Sequence, residues 1–185
     1  LLVADLESTI IRNECLEELG EAIGRRAEMA EITRRAMNGE IDFAGALRER
    51  VAKLKGLPAT ALEDVYARLE LMPGARALAA TMRAHGARAA LVSGGFRFFA
   101  ERIGRTLGFD CWQANELLVE DGRITGSVAE PILDRAAKKA ILLELAEEAS
   151  LPLARTLAIG DGANDLPMIN LAGLGLKIPL NLLFM

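Results

Sequence analysis

One repeated pattern constrains this chain more than any other: short apolar runs that each stop at a polar or glycine-rich segment. Leu1–Ala4 runs into DLEST, Arg88–Val92 into SGG, and Arg155–Ile159 into GDGAND. Each run is brief and rich in Leu, Val, Ile or Ala, as a strand covered on both faces requires. Amphipathic helical patterns lie between them. The alternation predicts a mostly parallel sheet with helices on both faces, an α/β core of Rossmann-like type. In open sheets of this kind, ligands sit beyond the carboxyl ends of the strands. Three polar strand ends therefore define one candidate site.

Residues 14–72 break the alternation and read as helices only. Asp42 is a plausible N-cap, and Phe43, Leu47, Val51 and Leu54 follow it at helical spacing. Pro73-Gly74 then opens a new helix that ends near His85-Gly86. We therefore expect a helical cap over 14–72 inserted into a core made of 1–13 and 73–185. A second, smaller insertion is expected in ELLVEDGRITGSV, where Asp121-Gly122 joins two strand-like runs into a β-hairpin. A helix is expected over Asn164–Ala172, and the apolar LGLKIPLNLLFM that follows accommodates one strand.

Composition narrows the function classes. The chain has 185 residues, 51% of them apolar and 26% charged, which argues against disorder. Lys+Arg number 22 against 26 Asp+Glu, so the net charge of −4 disfavours nucleic acid as a partner. Two cysteines, Cys15 and Cys111, make neither a disulfide framework nor a four-ligand zinc site. They read as reduced thiols, and with no apolar run of about 18–20 residues the expectation is a cytoplasmic protein without a membrane partner. The chain starts at Leu1, already strand-like, so residues upstream are expected to be missing.

The polar strand ends carry the chemistry. Asp5 and Glu7, two residues apart in VADLESTI, can share a cleft. A carboxylate there can attack phosphorus and form an acyl-phosphate, and a second acid can protonate a leaving alkoxide and then deprotonate water. Turn and helix-cap chemistry is the plainer alternative. Asp161 and Asp165 in IGDGAND add two more acids, and clustered carboxylates call for a hard divalent cation such as Mg²⁺. Ser93, Gly94 and Gly95 read as a strand–helix turn offering a hydroxyl and backbone N–H groups to an anion. Counting about 100° per residue, Lys138 falls at the centre of the stripe Ile141, Leu142, Leu145 and points inward, whereas Lys139 points to solvent. Arg50 shares the inward face of Phe43, and Arg48 does not. An inward cation needs a negative partner unless it snorkels, and a bound anion would serve.

Taken together, DLESTIIRNE, LVSGGF, the Lys138 helix and GDGAND resemble the four motifs of the haloacid dehalogenase superfamily of phosphohydrolases. With NGEIDFxxALRERV and GDGANDLPM, the chain is similar to the phosphoserine phosphatase family over nearly its whole length. The resemblance implies that Asp5 is the nucleophile and that Glu7 is the general acid/base. It implies Mg²⁺ held by Asp5, the backbone carbonyl of Glu7 and Asp161, with Asn164 and Asp165 in support. Ser93, Gly94 and Lys138 would bind the phosphoryl group. Glu14 and Arg50 would meet the amino and carboxylate groups of phosphoserine, with Met37 and Phe43 lining the cap side. The expected partner is thus a small molecule, phosphoserine, with the protein a monomer or homodimer. Glu7 departs from the family's usual Asp, and its extra methylene moves the carboxylate outward by about one bond. Glu also occurs at this position in a relative that passes the phosphoryl group to homoserine. Two alternatives follow: transfer to homoserine or hydrolysis of another small phosphomonoester, and a weakly active phosphate-binding or regulatory protein. The tail LKIPLNLLFM also departs from the family, whose members usually continue with a longer strand–helix segment.

Outside the motifs, His85 is the only histidine and reads as a helix C-terminal cation. Phe96, Phe98 and Phe99 read as core, because Phe99, Ile103 and Leu107 keep i,i+4 spacing.

Overall fold

The computed structural model describes residues 1–178, with Met37 described by its backbone alone. Five parallel strands form the sheet. At its centre is β1 (Leu2–Ala4), flanked by β2 (Ala89–Phe96) on one side and β6 (Leu157–Gly160) on the other; β3 (Cys111–Asn115) and β7 (Leu174–Lys177) form the edges. Successive side chains of a strand face opposite sides. Leu2, Ala4, Ala89 and Leu91 accordingly enter one apolar layer, and Val3, Ala90 and Val92 enter another. Both faces of β1 are covered, which is why its run shows no polar alternation.

The helices account for the two layers. Between β1 and β2 lie α1 (Cys15–Ala22), α2 (Arg26–Met37), α3 (Phe43–Ala52), α4 (Thr60–Tyr66) and α5 (Ala75–Ala84). With α6 (Arg97–Leu107) they supply Leu19, Leu47, Val51, Leu62, Phe99 and Ile103 to the larger layer. The opposite layer is built on α7 (Arg135–Glu148) and α8 (Leu166–Ile169), through Ile141, Leu142, Leu145 and Met168. Helices thus change sides of the sheet at β1, and its carboxyl end opens on the crevice where ligands bind in such sheets.

Local chemistry explains several boundaries. Asp42 caps α3 by accepting the Gly45 N–H at 2.6 Å, and Asp134 caps α7 by accepting those of Ala136 and Ala137. Gly74 precedes α5 with φ of +88°, a conformation that favours glycine. The hairpin β4 (Leu117–Glu120) and β5 (Arg123–Val128) turns on Asp121 and Gly122, both with positive φ, as expected for a two-residue loop. His85 ends α5 exposed to solvent.

Four expectations need correction. Ser93–Gly95 is not a strand–helix turn: β2 continues through it to Phe96, and its register with β3 shifts between Ser93 and Phe96. Arg88 precedes its strand, and Leu153–Arg155 is a 3₁₀ turn with β6 starting only at Leu157. The helix foreseen over Asn164–Ala172 shrinks to Leu166–Ile169; at its start the Asp165 carboxylate folds back onto the amides of Asp161 and Gly162. Finally, β3 was not foreseen at all. The strand foreseen in the C-terminal segment is β7; residues 179–185 lie outside the described residues. Among the described residues no helix is long and apolar enough to cross a membrane.

Candidate active site

The loop after β1 is wound tightly. The amides of Thr9, Ile10 and Ile11 all donate to the Leu6 carbonyl, and Ser8 adopts a φ of +53°. The Asp5 amide donates to the Ile159 carbonyl of β6, which carries the Asp5 side chain to the sheet's carboxyl edge. Asp5 is 4% exposed and Lys138 1% exposed. Lys138 enters from the first turn of α7, and its Nζ donates to Asp5 Oδ1 at 2.6 Å and to Asp165 Oδ1 at 2.6 Å. Lys139 is exposed. A buried ammonium is tolerable only with such partners.

The charges in this group decide its protonation. Burial pushes the Asp5 pKa up to about 7, against the pull of Lys138 and with the help of Asp165. Burial alone would lower the Lys138 pKa, but the two carboxylates outweigh it and hold the ammonium above its usual value. Asp161 is half-buried and raised by burial and by Asp165, and it accepts a hydrogen bond from Thr9 Oγ1 at 3.4 Å.

Asp5, Asp161 and Asp165 each present a carboxylate oxygen, and these atoms lie within 4.8 Å of one another. An all-oxygen, multiply charged set fits a hard divalent cation. Asp165 is less available than the other two. Its Oδ1 accepts from Lys138 and its Oδ2 from the Asp161 and Gly162 amides. Asp5 and Asp161 are therefore the better ligands, with Asp165 holding the loop around them.

Glu7 lies apart from this group. Its Oε1 accepts the Cys15 N–H at 2.9 Å, so the carboxylate docks on the amino end of α1. Burial raises its pKa, and the Cys15 bonds pull it partly back. A Cβ at Gly95 would stand 2.6 Å from Glu7 Oε2, and one at Gly94 would stand 3.0 Å from the Phe43 ring. Neither glycine has a positive φ. They are needed for close approach: the side chains of Glu7 and Phe43 occupy the space over this strand.

A cleft of about 160 Å³ opens over the carboxylates. It is lined by Asp5, Glu7, Glu14, Phe43, Arg50, Gly94, Asp161 and Asn164 among the expected residues, and by Leu16, Leu47, Gly95 and Phe96 besides. Ser93 and Lys138 lie beneath the lining rather than on it. The Glu14 carboxylate accepts from Ser8 Oγ at 2.7 Å; Glu14 keeps an exposed edge, and desolvation around its carboxyl together with the nearby Glu7 raises its pKa. Among the described residues Arg50 makes one hydrogen bond, from Nε to the Ala46 carbonyl at 3.3 Å, and no ion pair. Burial holds its pKa below the usual value, against Glu7, Glu14 and Glu17. Arg48, by contrast, is exposed and paired with Glu130. The side chain of Met37 lies outside the described residues.

Ser8 and Thr9, which hold Glu14 and Asp161, were missed by sequence reasoning, as were Leu16 and Leu47. The tight winding around Leu6 brings both hydroxyls to bear, and nothing in the local pattern announces it.

Residues 2–170 match the family described as haloacid dehalogenase-like hydrolase. The chain is 47% identical, over 95% of its length, to phosphoserine phosphatase SerB2 of Mycobacterium tuberculosis, of which it spans 43%. It is 48% identical, again over 95%, to the phosphoserine phosphatase of Streptococcus thermophilus, of which it spans 82%. Among solved structures, it superposes with a TM-score of 0.87 and 38% identity on a phospho-aspartyl intermediate analogue of phosphoserine phosphatase, covering 96% of this chain and 84% of that one. A haloacid dehalogenase-family hydrolase of Salmonella enterica serovar Typhi gives a TM-score of 0.92 at 33% identity, covering 95% of this chain and 61% of that one. The chain thus spans less than half of one relative and most of another. With these motifs on this fold, the chain belongs to the haloacid dehalogenase-like hydrolase family.

Proposed function

We propose that this chain is a Mg²⁺-dependent phosphatase acting in serine biosynthesis, hydrolysing O-phospho-L-serine through an aspartyl-phosphate. The observation that carries the reading is one cleft lined by Asp5, Glu14 and Arg50, with Lys138 paired to Asp5 beneath it. A doubly charged phosphoryl group fits against Asp5, with the Lys138 ammonium beneath it to offset charge, and the guanidinium of Arg50, in no ion pair among the described residues, fits a carboxylate bidentately. Glu14 fits the ammonium beside it. The phosphoserine phosphatases among the relatives support the same substrate.

In this reading a carboxylate oxygen of Asp5 attacks phosphorus and the bond to the serine oxygen breaks. Glu7 gives its proton to the departing alkoxide, releasing serine. Glu7 then takes a proton from water as the water attacks the acyl-phosphate, which restores Asp5 and frees phosphate. Lys138 stays protonated throughout and offsets the phosphoryl charge. A divalent cation held by Asp5 and Asp161 would supply further charge neutralisation. Residues 14–72 act as a cap that brings Phe43 and Arg50 over the carboxyl edge and limits water access.

A Mg²⁺-dependent phosphate-release screen over phosphoserine, phosphothreonine and a sugar phosphate tests this. Phosphoserine should be turned over best, and a preference for the sugar phosphate overturns the roles of Glu14 and Arg50. A second reading, transfer to an alcohol such as homoserine, rests on Glu7 standing where the family usually has Asp, its carboxylate docked on α1 rather than on Asp5. Phosphohomoserine formed when homoserine is added would establish it.

A further inference from the structure

Asn115 ends β3 and is 3% exposed, yet it belongs to no motif recognised in the sequence. Both ends of its side-chain amide are engaged. Nδ2 donates to the Gly94 carbonyl at 2.8 Å and to the Leu133 carbonyl at 3.3 Å, and Oδ1 accepts the Leu133 N–H at 2.7 Å. One buried side chain therefore ties two segments that are distant in sequence.

Each segment leads to the phosphoryl-binding groups. The Gly94 carbonyl and the Gly95 N–H belong to one planar peptide. Asn115 holds that plane from the carbonyl end, and at the other end the Gly95 N–H donates to Ser93 Oγ at 3.0 Å. Fixing the plane thus fixes both the backbone that lines the cleft and the Ser93 hydroxyl. The register of β2 against β3 shifts just here, and Asn115 is the residue that pairs with Phe96 beyond the shift. Its side chain satisfies a carbonyl beside that break in the ladder. On the other arm, Leu133 precedes Asp134, the cap of α7, and Lys138 follows one turn later. Holding Leu133 at both N–H and carbonyl sets where α7 begins, and so where Lys138 Nζ reaches Asp5.

We propose that Asn115 is a positioning residue for phosphoryl binding, aligning the 94–95 peptide and the Lys138 helix with each other. The proposal rests on the phosphatase reading above, but not on phosphoserine being the substrate. It is tested with Asn115→Ser and Asn115→Asp, using p-nitrophenyl phosphate as substrate, orthovanadate as a phosphoryl mimic bound by direct titration, and L-serine as a ligand for the Glu14–Arg50 end. A shift of about 1 Å in a reacting group costs about 100-fold in rate. Asn115→Ser should therefore lower kcat by about 10- to 100-fold and weaken orthovanadate by a similar factor, with L-serine affinity changed less than about two-fold. Asn115→Asp, which sets a carboxylate against the Gly94 carbonyl, should do more. Values of kcat and orthovanadate affinity within about two-fold of wild type overturn the proposal. So does an equal loss of L-serine affinity, which would indicate general loosening. Failure of both variants to fold would assign Asn115 to stability alone and overturn it too. If the wild-type protein turns over p-nitrophenyl phosphate but not phosphoserine, the substrate reading fails and this inference stands.

Discussion

The two ends of the cleft are built differently. At the sheet end, Lys138, Asp5 and Asp165, all with almost no exposure, and the 161–162 amides form a closed set of hydrogen bonds. At the helical end, among the described residues, Arg50 has one long side-chain bond, to its own helix, and Glu14 is held by one hydroxyl. The first end is organised before anything binds, which is the arrangement that stabilises developing charge. The second has spare hydrogen-bonding capacity, which suits recognition of a polar ligand. Chemistry should therefore depend on the sheet end and selectivity on the helical end.

The largest effects should come from the sheet end. Asp5→Asn should abolish turnover, a loss of about 10⁴-fold or more, because it removes the proposed nucleophile. Lys138→Met should lower kcat by about 10³-fold. Steady-state kinetics with phosphoserine check both, and activity near wild type in Asp5→Asn removes the nucleophile assignment. At the helical end, Arg50→Ala should lower kcat/KM by about 100-fold, mostly through KM, because a desolvated charge pair contributes about 2–5 kcal/mol. A pure kcat effect there would blur the contrast between the two ends.

Much of the sheet end was legible in the sequence, and the reason is periodicity. Lys138 in the middle of an apolar helical stripe could only point inward. Strands β1 and β6 announce themselves because both faces are covered. The glycines of SGGF misled, since paired glycines usually mark turns; here they make room for Glu7 and Phe43 along a continuing strand. The strand β3 hid because CWQAN at the sheet edge is only partly buried and carries Gln and Asn. Asn115 and the Ser8–Glu14 bond depend on contacts between segments that no local pattern encodes.

Acid–base behaviour gives a smaller, sharper test. Burial pushes the Asp5 pKa up to about 7, well above the ordinary carboxylate range. Between about pH 4 and 7 the native chain thus holds a proton on Asp5 that the unfolded chain has released. Stability must fall as pH rises through that window, because the native state binds more protons there. A cation ligated by Asp5 and Asp161 displaces that proton, so its stabilisation grows with pH. The Tm gain from Mg²⁺ should be larger at about pH 8 than at about pH 6. Equal gains would show that the carboxylates at the sheet end are already ionised without metal.

Glu7 sits between the two ends, docked on α1 by the Cys15 N–H. Shortening it removes that bond and returns the carboxylate toward Asp5. Glu7→Asp should keep phosphatase turnover or raise it, by up to about ten-fold, while the lost helix contact costs about 1 kcal/mol of stability. A large fall in kcat would mean that the longer side chain reaches the reacting oxygen better than the shorter one.

The smallest effect should come from Arg48. It carries the same charge as Arg50, two residues away on the same helix, but turns to solvent and pairs with Glu130 at 2.7 Å, both side chains more than half exposed. Exposed pairs of this kind contribute about 0–1 kcal/mol, since each ion keeps most of its hydration. Arg48→Ala should therefore leave KM for phosphoserine within about two-fold and shift Tm by a few degrees at most. The comparison with Arg50→Ala separates direct contact from long-range attraction of a dianionic ligand. If Arg48→Ala raised KM as much as Arg50→Ala, the helical end would act through its field, and selectivity would have to be sought in Leu16, Phe43 and Leu47 instead.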